Sequence, residues 1–182
     1  MNIRHFLLAG TSVFLLATSN AWAGPPTIPI DGACSTQVTN ALAYFNSVLP
    51  GPARLKDASG IVSFGGDGAN GNSGLVNAVT NQFGAVATIF VRNYNGDFIR
   101  AITNLSLTES GPSHLDPTTA VGTTLTALPS PSAYHSLSLG RQFCGTVSLF
   151  GHKFDSGYQP VFDAPPNKKV VIGALFVGFL VP

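Results

Sequence analysis

The chain has 182 residues, enough for one domain of ordinary size with a real hydrophobic core. Its formal net charge at pH 7 is +1, so it lacks the strongly basic balance of nucleic-acid-binding proteins, and no nucleic acid is expected as a partner. Only 9% of the residues are charged, against about 25% in typical domains, so solubility must rest on Asn, Ser, Thr and Gly.

The first 23 residues have the composition of a secretory signal peptide. Arg4 and His5 supply a short positive region, and the apolar run at residues 6–17 is too short to span a bilayer. Residues 21–23 read Ala-Trp-Ala, which fits the small-x-small rule for cleavage. We therefore expect residues 1–23 to be removed after Ala23 and the mature chain to be periplasmic or secreted, without a membrane span.

Two helices are predicted in the first half of the mature chain. Residues 24–33 contain three prolines in their first part and are expected to be an extended lead-in to a single domain at residues 34–182. Apolar residues recur at a spacing of three to four in residues 34–49, which are followed by a Pro-Gly-Pro sequence, and in residues 73–83, which are followed by a glycine.

Strands dominate the second half of the sequence. Residues 85–93 and 98–105 are β-rich and joined through Asn95-Gly96, a strong hairpin signal. A short helix at residues 131–139 precedes three sequential strands, and the apolar run at residues 170–181 is too short for a membrane anchor and indicates a buried strand. The prediction is an α+β fold with an antiparallel sheet of about five strands, an N-terminal helix and short flanking helices.

Several phrases between about residues 75 and 181 occur in an order and at spacings known from one family. They are ATIFVR at 87–92, DFIRAITNL at 97–105, VGTTL at 121–125, GRQFCG at 140–145, LFGHKF at 149–154, SGYQP at 156–160 and VIGALFVG at 171–178. Together they resemble the extracytoplasmic Cache sensor domains of bacterial methyl-accepting chemotaxis proteins and sensor kinases, in particular the Cache 3/Cache 2 fusion type. Phe143 and Phe154 stand where that family usually has Tyr, and Cys144 is unusual at its position.

The resemblance implies a PAS-like, single Cache fold. In such folds one face of the sheet covers a long N-terminal helix and the other roofs a pocket for a small ligand. Related domains take different small metabolites, so the resemblance does not name the ligand. Because no transmembrane helix or signalling domain follows the matched phrases, we expect a stand-alone module.

Alternation along the strands predicts which side chains share a face. Phe98, Arg100 and Ile102 are predicted to lie on one face of their strand, and Phe154 and Tyr158 on one face of theirs. A pocket for a small anion needs an apolar lining, one or two convergent cations and hydroxyls that fix orientation. The candidate ligand-binding residues are Phe90, Phe98, Arg100, Thr103, Lys153 and Tyr158, with Arg100 and Tyr158 favoured by the resemblance.

The arginines could instead have an ordinary structural role rather than a role in ligand binding. Arg92 and Arg100 would then be solvated sheet residues or would pair with Asp97 or Asp155.

The two cysteines also have two interpretations. Cys34 and Cys144 are expected to form a disulfide in an oxidising compartment, the alternative being two buried thiols.

Other motifs are weak. Residues 66–71 match G-x-G-x-x-G, but no acidic residue follows between Asp67 and Asp97, which argues against a dinucleotide site. Oxygen ligands for Ca²⁺ at Asp67, Asn70 and Asn72 lack EF-hand spacing, so a surface loop is favoured.

The histidines give no catalytic or metal-binding pattern. His114, His135 and His152 are far apart, and no His/Cys pair has the spacing of a zinc site. A G-x-S-x-G motif is absent as well. We therefore expect no metal, no cofactor and no enzymatic activity.

Two functions remain. The leading hypothesis is a soluble, exported Cache-type module without its own output domain, which binds a small molecule such as a carboxylate metabolite and acts with a separate membrane receptor or sensor kinase. The alternative is a structural or interaction protein of the cell envelope that uses a Cache-like fold without a ligand pocket. Low charge and abundant Ser, Thr, Asn and Gly fit both.

Overall fold

The computed structural model describes residues 27–55, 62–64, 67–68, 73–107, 119–164 and 170–182. The predicted signal peptide and the start of the predicted lead-in lie outside these residues. Within the described ranges, no helix combines the length and the apolar character needed to cross a membrane.

The predicted helices and strands occur in the predicted order, and four short strands, the first four in the chain, are additional. The elements are β1 (Ile30–Asp31), α1 (Thr36–Val48), β2 (Ala53–Leu55), β3 (Val62–Phe64), β4 (Asp67–Gly68), α2 (Gly74–Phe83), β5 (Val86–Arg92), β6 (Phe98–Thr103), α3 (Ala133–Ser138), β7 (Gln142–Leu149), β8 (His152–Phe162) and β9 (Val171–Leu180).

The main sheet has six strands in the order β1-β7-β8-β9-β5-β6. The five strands β5 to β9 are antiparallel to one another, as predicted, and the apolar run near the C-terminus forms the buried strand β9 between β8 and β5. The sixth strand, β1, was predicted only as extended chain. It pairs in parallel with the start of β7, because Ile30 lies opposite Gln142 and Asp31 opposite Phe143.

A second, small sheet follows α1. Strands β2, β3 and β4 form it in sequence order and antiparallel, and the carbonyl of Ala53 in β2 accepts a hydrogen bond from the backbone N–H of Ala164 at 2.9 Å. Each of these strands has two or three residues, too few to show a period in the sequence.

Alternate residues of β5 contribute to two hydrophobic cores. Ala87, Ile89 and Val91 lie in the core beneath helices α1 and α2, whereas Val86 and Phe90 lie in a second core on the opposite face. This second core also contains α3 side chains and the residues Phe154, Tyr158 and Phe176 of β8 and β9. The sheet is therefore covered on both faces, and Phe90 lies on the face that α3 covers.

Helix α1 is held against the sheet by its N-terminus and by its apolar face. The hydroxyl of Ser35 caps the helix by accepting from the backbone N–H of Val38 at 3.3 Å, and it donates to the Asp155 carboxylate of β8 at 2.7 Å. The sulfur of Cys34, just before the helix, is bonded to that of Cys144 in β7, so the expected disulfide is present and closes a sequence separation of 110 residues.

A β-bulge in β6 changes the predicted faces. Ile89 lies opposite Ile102 and Phe90 opposite Arg100, so Ala101 is an extra residue in β6. Ile102 consequently lies in the core beneath the helices rather than beside Arg100, and the prediction that these two residues share a face was wrong. The bulge has the opposite effect on Thr103, which lies opposite Thr88 on the face that carries Phe90 and Arg100.

Candidate functional site

Arg100 is a buried cation on the face of the sheet that carries α3. It is 3% exposed, and its backbone is paired on the outer side of β6 with the segment that follows residue 119, through hydrogen bonds of 2.9 Å to Thr123 and from Gly122. Its Nη1 donates to the Thr123 hydroxyl at 2.8 Å. Its Nε is buried and has no acceptor among the described residues. A buried, unpaired donor on a charged group is costly.

Two aromatic rings lie against the Arg100 guanidinium. Its Cζ is 5.0 Å from the ring centroid of Phe90, which is on the neighbouring strand β5, and 5.5 Å from that of Phe150, which is in the β7–β8 turn. Both distances are within the range of cation–π attraction. Burial lowers the pKa of the Arg100 guanidinium, and the nearby Tyr158 opposes this shift, but arginine stays protonated in proteins. Arg100, Phe90, Thr123, Phe150 and Tyr158 together form the Arg100 cluster, which therefore has a fixed positive charge.

Tyr158 lies between this cation and an open groove. Its ring centroid is 4.6 Å from that of Phe176, 6.1 Å from that of Phe143 and 6.2 Å from that of Phe90. Burial raises the pKa of the Tyr158 hydroxyl above its usual value, with Arg100 acting in the opposite direction. At neutral pH the hydroxyl is thus a neutral hydrogen-bonding group beside a positive charge.

The groove has a volume of about 330 Å³ and separates β7 from α3 and the segment preceding α3. Its lining mixes apolar groups with hydroxyls and contains no charged side chain. The lining residues are Leu125, Thr126, Leu128, Pro131, Ser132, Ala133, Tyr134, Phe143, Thr146, Val147, Ser148, Leu149 and Tyr158. Tyr158 is the member shared with the Arg100 cluster, whereas Arg100 and Phe90 do not line the groove.

Thr103 and Lys153 are placed less favourably. The Thr103 hydroxyl donates to the Ala87 carbonyl at 3.2 Å and accepts from the backbone N–H of Leu105 at 3.1 Å, and a further bond of 2.6 Å links it to the Thr88 hydroxyl. One donor and two lone pairs are thereby used within the chain. Lys153 is exposed and lies on the α1 side of β8, as Asp155 does, so the structure does not bring it to the cluster.

Phe98 lies on the Arg100 face but at its edge. Its ring centroid is 5.9 Å from that of Tyr134 in α3, and the Cζ of Arg92 lies 5.4 Å from the Phe98 centroid. Arg92 also donates from Nε to the Gly96 carbonyl at 3.3 Å. Phe98 therefore connects the sheet to α3, and Arg92 has the ordinary surroundings of a sheet arginine.

The acidic partners considered for Arg100 bind elsewhere. Asp97 accepts from the Asn93 side chain at 3.1 Å within the β5–β6 hairpin, and Asp155 accepts from Ser35 and Gln37 at 2.7 and 3.2 Å. Neither forms an ion pair with Arg100. Of the two alternatives for this residue, solvation is excluded by its burial, and pairing with Asp97 or Asp155 is excluded by these contacts.

The remaining candidates do not add a site. Most of the G-x-G-x-x-G motif at residues 66–71 lies outside the described residues, as do His114, Asn70, Asn72 and the side chain of Asp67. Within the part of the chain that the structure describes, no three His, Cys, Asp or Glu side chains are grouped as metal ligands would be.

Two residues of the cluster were not singled out from the sequence. Thr123 belongs to the VGTTL phrase, and Phe150 to the LFG phrase. A phenylalanine followed by glycine in a hairpin connection was the available signal for Phe150, because a bulky residue is unusual there. No local signal indicated that Thr123 would meet Arg100, since they are 23 positions apart in sequence and the contact depends on how the chain returns to β6.

Comparison with known proteins identifies a family. The family model of the Cache 3/Cache 2 fusion domain matches residues 61–181, whereas no curated protein and no solved structure matches the chain. The matched range is more than half of the chain and includes every strand from β5 to β9, together with Arg100, Phe150 and Tyr158. The chain belongs to the Cache 3/Cache 2 fusion domain family.

Proposed function

We propose that the protein is an exported sensing module that binds a small carboxylate-bearing molecule beside Arg100 and Tyr158 and passes its bound state to a separate membrane receptor or sensor kinase. Cache domains are extracellular sensory domains that bind small ligands. The disulfide fits an oxidising compartment, and the N-terminal 23 residues fit a signal peptide. A sensory rather than catalytic role is typical of the family.

The observation that carries the proposal is the unmet hydrogen-bonding capacity of Arg100. The chain contains its own comparison: Nε of Arg141 donates to both oxygens of Asp31 at 3.0 Å, and Nη2 lies 2.5 Å from one of them. Arg100 offers the corresponding Nε without an acceptor among the described residues. A ligand carboxylate placed as Asp31 is placed would supply that acceptor and neutralise the buried charge.

The test is Arg100→Met, which keeps most of the side-chain length and removes the charge. The free protein is expected to be as stable as the wild type or more stable, because a buried, unpaired charge is replaced by an apolar group of similar size. Binding of a small carboxylate should weaken by about 2–3 kcal/mol, the upper range for a hydrogen bond to a charged group. A thermal-shift screen of organic acids, followed by calorimetry with the best of them, measures both quantities.

Arg92→Met is the matched control. Arg92 is also a sheet arginine over an aromatic ring, but its Nε has an acceptor, so its replacement should leave carboxylate binding unchanged. The proposal fails if two results occur together. The first is that Arg100→Met unfolds the free protein, and the second is that Arg100→Lys binds the selected acid with wild-type affinity.

A second candidate function has one observation in its favour. The second core is filled by aromatic rings, including Phe90, Phe154, Tyr158 and Phe176, all at most 1% exposed. A Cache domain whose pocket is filled in this way would serve as a structural or interaction protein of the cell envelope. The same screen separates the two functions, since this alternative expects no organic acid to raise the melting temperature of the wild type.

A further inference from the structure

The connection between β7 and β8 has an unfavourable residue. Leu149 lies opposite His152, so the hairpin turns through two residues only, Phe150 and Gly151. Their φ angles are 49° and 87°, both in the left-handed region, as in a type I′ turn, for which Asn-Gly is the preferred sequence. Phe150 is the one non-glycine residue with positive φ in the described part of the chain. A bulky side chain rarely adopts this conformation.

The strained residue is also the one that reaches Arg100. The β7–β8 turn and β6 belong to opposite halves of the sheet, with β9 and β5 between β8 and β6. The Phe150 ring nevertheless lies 5.5 Å from Cζ of Arg100 while remaining 39% exposed to solvent. Strained backbone that persists at such a position is typical of functional sites.

We infer that Phe150 is a ligand-binding residue of the Arg100 site, an inference that rests on the proposed function. Its ring forms the solvent-side wall of the position that a carboxylate occupies at Nε of Arg100. Because an ion pair is stronger where water is excluded, the wall raises affinity for the anion. Phe90, which is fully buried, forms the inner wall on the sheet.

The test exploits the opposite effects expected on stability and on binding. Phe150→Asn places a favoured residue in the turn, so the unfolding midpoint should stay equal or rise. Affinity for propionate should fall roughly tenfold, because water then reaches the ion pair at Arg100 and weakens it. Propionate is titrated into ¹⁵N-labelled protein, and the Nε–Hε signal of Arg100, identified by its absence in Arg100→Lys, reports binding at that atom.

Two further variants separate the ring from the turn. Phe150→Tyr keeps the ring and should retain wild-type affinity. Phe150→Leu keeps apolar bulk but lacks the flat ring that lies against the Arg100 guanidinium, so it should lose affinity as Phe150→Asn does. Tyr94→Asn is the matched control, because Tyr94 is a 76% exposed aromatic residue in the β5–β6 connection and its replacement should leave propionate binding unchanged.

The outcomes distinguish this inference from the proposal beneath it. If propionate shifts the Arg100 signal with wild-type affinity in Phe150→Asn or Phe150→Leu, the inference is overturned and the proposed function stands. If propionate fails to shift that signal in the wild-type protein, both are overturned. Reduced affinity in these two variants, with retention in Phe150→Tyr and Tyr94→Asn, establishes Phe150 as part of the site.

Discussion

Arg100 and Arg141 show how differently two identical side chains behave in one chain. Arg141 is partly exposed and makes a two-oxygen contact with Asp31. Arg100 is buried beside Phe90 and Phe150, and its charge has no carboxylate partner among the described residues. The first arrangement fastens β1 to the chain just before β7, whereas the second leaves the buried Nε of Arg100 without an acceptor among the described residues.

The Asp31–Arg141 pair predicts a defined pH dependence. Hydrogen bonding from Arg141, then from Ser136, holds the pKa of Asp31 below its ordinary value, and His135 acts in the same direction. Because the folded pKa is depressed, the stabilisation is present above the unfolded pKa of about 3.9 and is lost as pH falls through the folded pKa. Asp31→Asn should therefore differ from the wild type in unfolding free energy at pH 6 and differ less at pH 3.

Urea denaturation at several pH values measures that difference. The pair is at the surface, so the effect is expected to be small. Arg141→Met supplies the control, since a double variant should show the same pH dependence as either single variant. An unchanged difference between wild type and Asp31→Asn from pH 6 to pH 3 would contradict the prediction.

At the scale of single residues, sequence reasoning selected Arg100 but did not predict its surroundings. Arg100 and Tyr158 were selected from their phrases, and the structure places both at the same cluster. The saturated hydroxyl of Thr103 and the outward position of Lys153 were not predictable, because they depend on the bulge in β6 and on which face of β8 meets α1. Burial and hydrogen bonding are properties of the assembled sheet, and no local pattern encodes them.

At the scale of elements, prediction succeeded wherever a segment was long enough to show a period. Helices α1 and α2 and strands β5 to β9 were expected from their apolar spacing and their Gly, Pro or Asn boundaries. Strands β1 to β4 have two or three residues and escape such reasoning. The extra residue Ala101 was missed because strict alternation assumes that no bulge occurs.

Strands β5 and β9 approach each other closely at one glycine. A Cβ on Gly173 of β9 would lie 2.3 Å from the carbonyl oxygen of Phe90, a backbone atom that cannot turn away. Gly173→Ala is therefore expected to lower the free energy of unfolding by about 1–3 kcal/mol, the usual cost of overpacking. Chemical denaturation followed by circular dichroism measures the change.

Gly178→Ala, in the same strand, is the control for Gly173→Ala. Its Cβ would meet the end of the Phe176 side chain at 2.7 Å, and a ring edge moves more easily than backbone. We expect a smaller loss there. Equal stability of Gly173→Ala and the wild type would show that β5 and β9 separate at this point without cost.

At the scale of the whole molecule, the disulfide joins the beginning of the described domain to its C-terminal strands. Cys34 precedes α1 and Cys144 lies in β7, and the Gln142 side chain donates to both sulfurs at 3.3 and 3.4 Å. A bond that closes so long a loop restricts the unfolded chain strongly in the chain-entropy model.

Removal of this bond should destabilise the protein considerably. The double variant Cys34→Ala/Cys144→Ala is expected to lose on the order of 4 kcal/mol of unfolding free energy, the value for a loop of about 100 residues. Guanidinium denaturation of the double variant and of the oxidised wild type gives the difference. Titration of the non-reduced, denatured wild type should detect no free thiol, and two reactive thiols per chain would contradict the prediction.

The position of β9 has a consequence for how the chain reaches this fold. The β5–β6 hairpin and the β7–β8 hairpin both precede β9 in the chain, but they meet only through β9, which lies between β5 and β8 in the sheet. A growing polypeptide that has not yet delivered residues 171–180 holds two hairpins with unpaired inner edges. Such non-local pairing makes assembly slow, and folding of the sheet should therefore follow synthesis of the domain rather than accompany it.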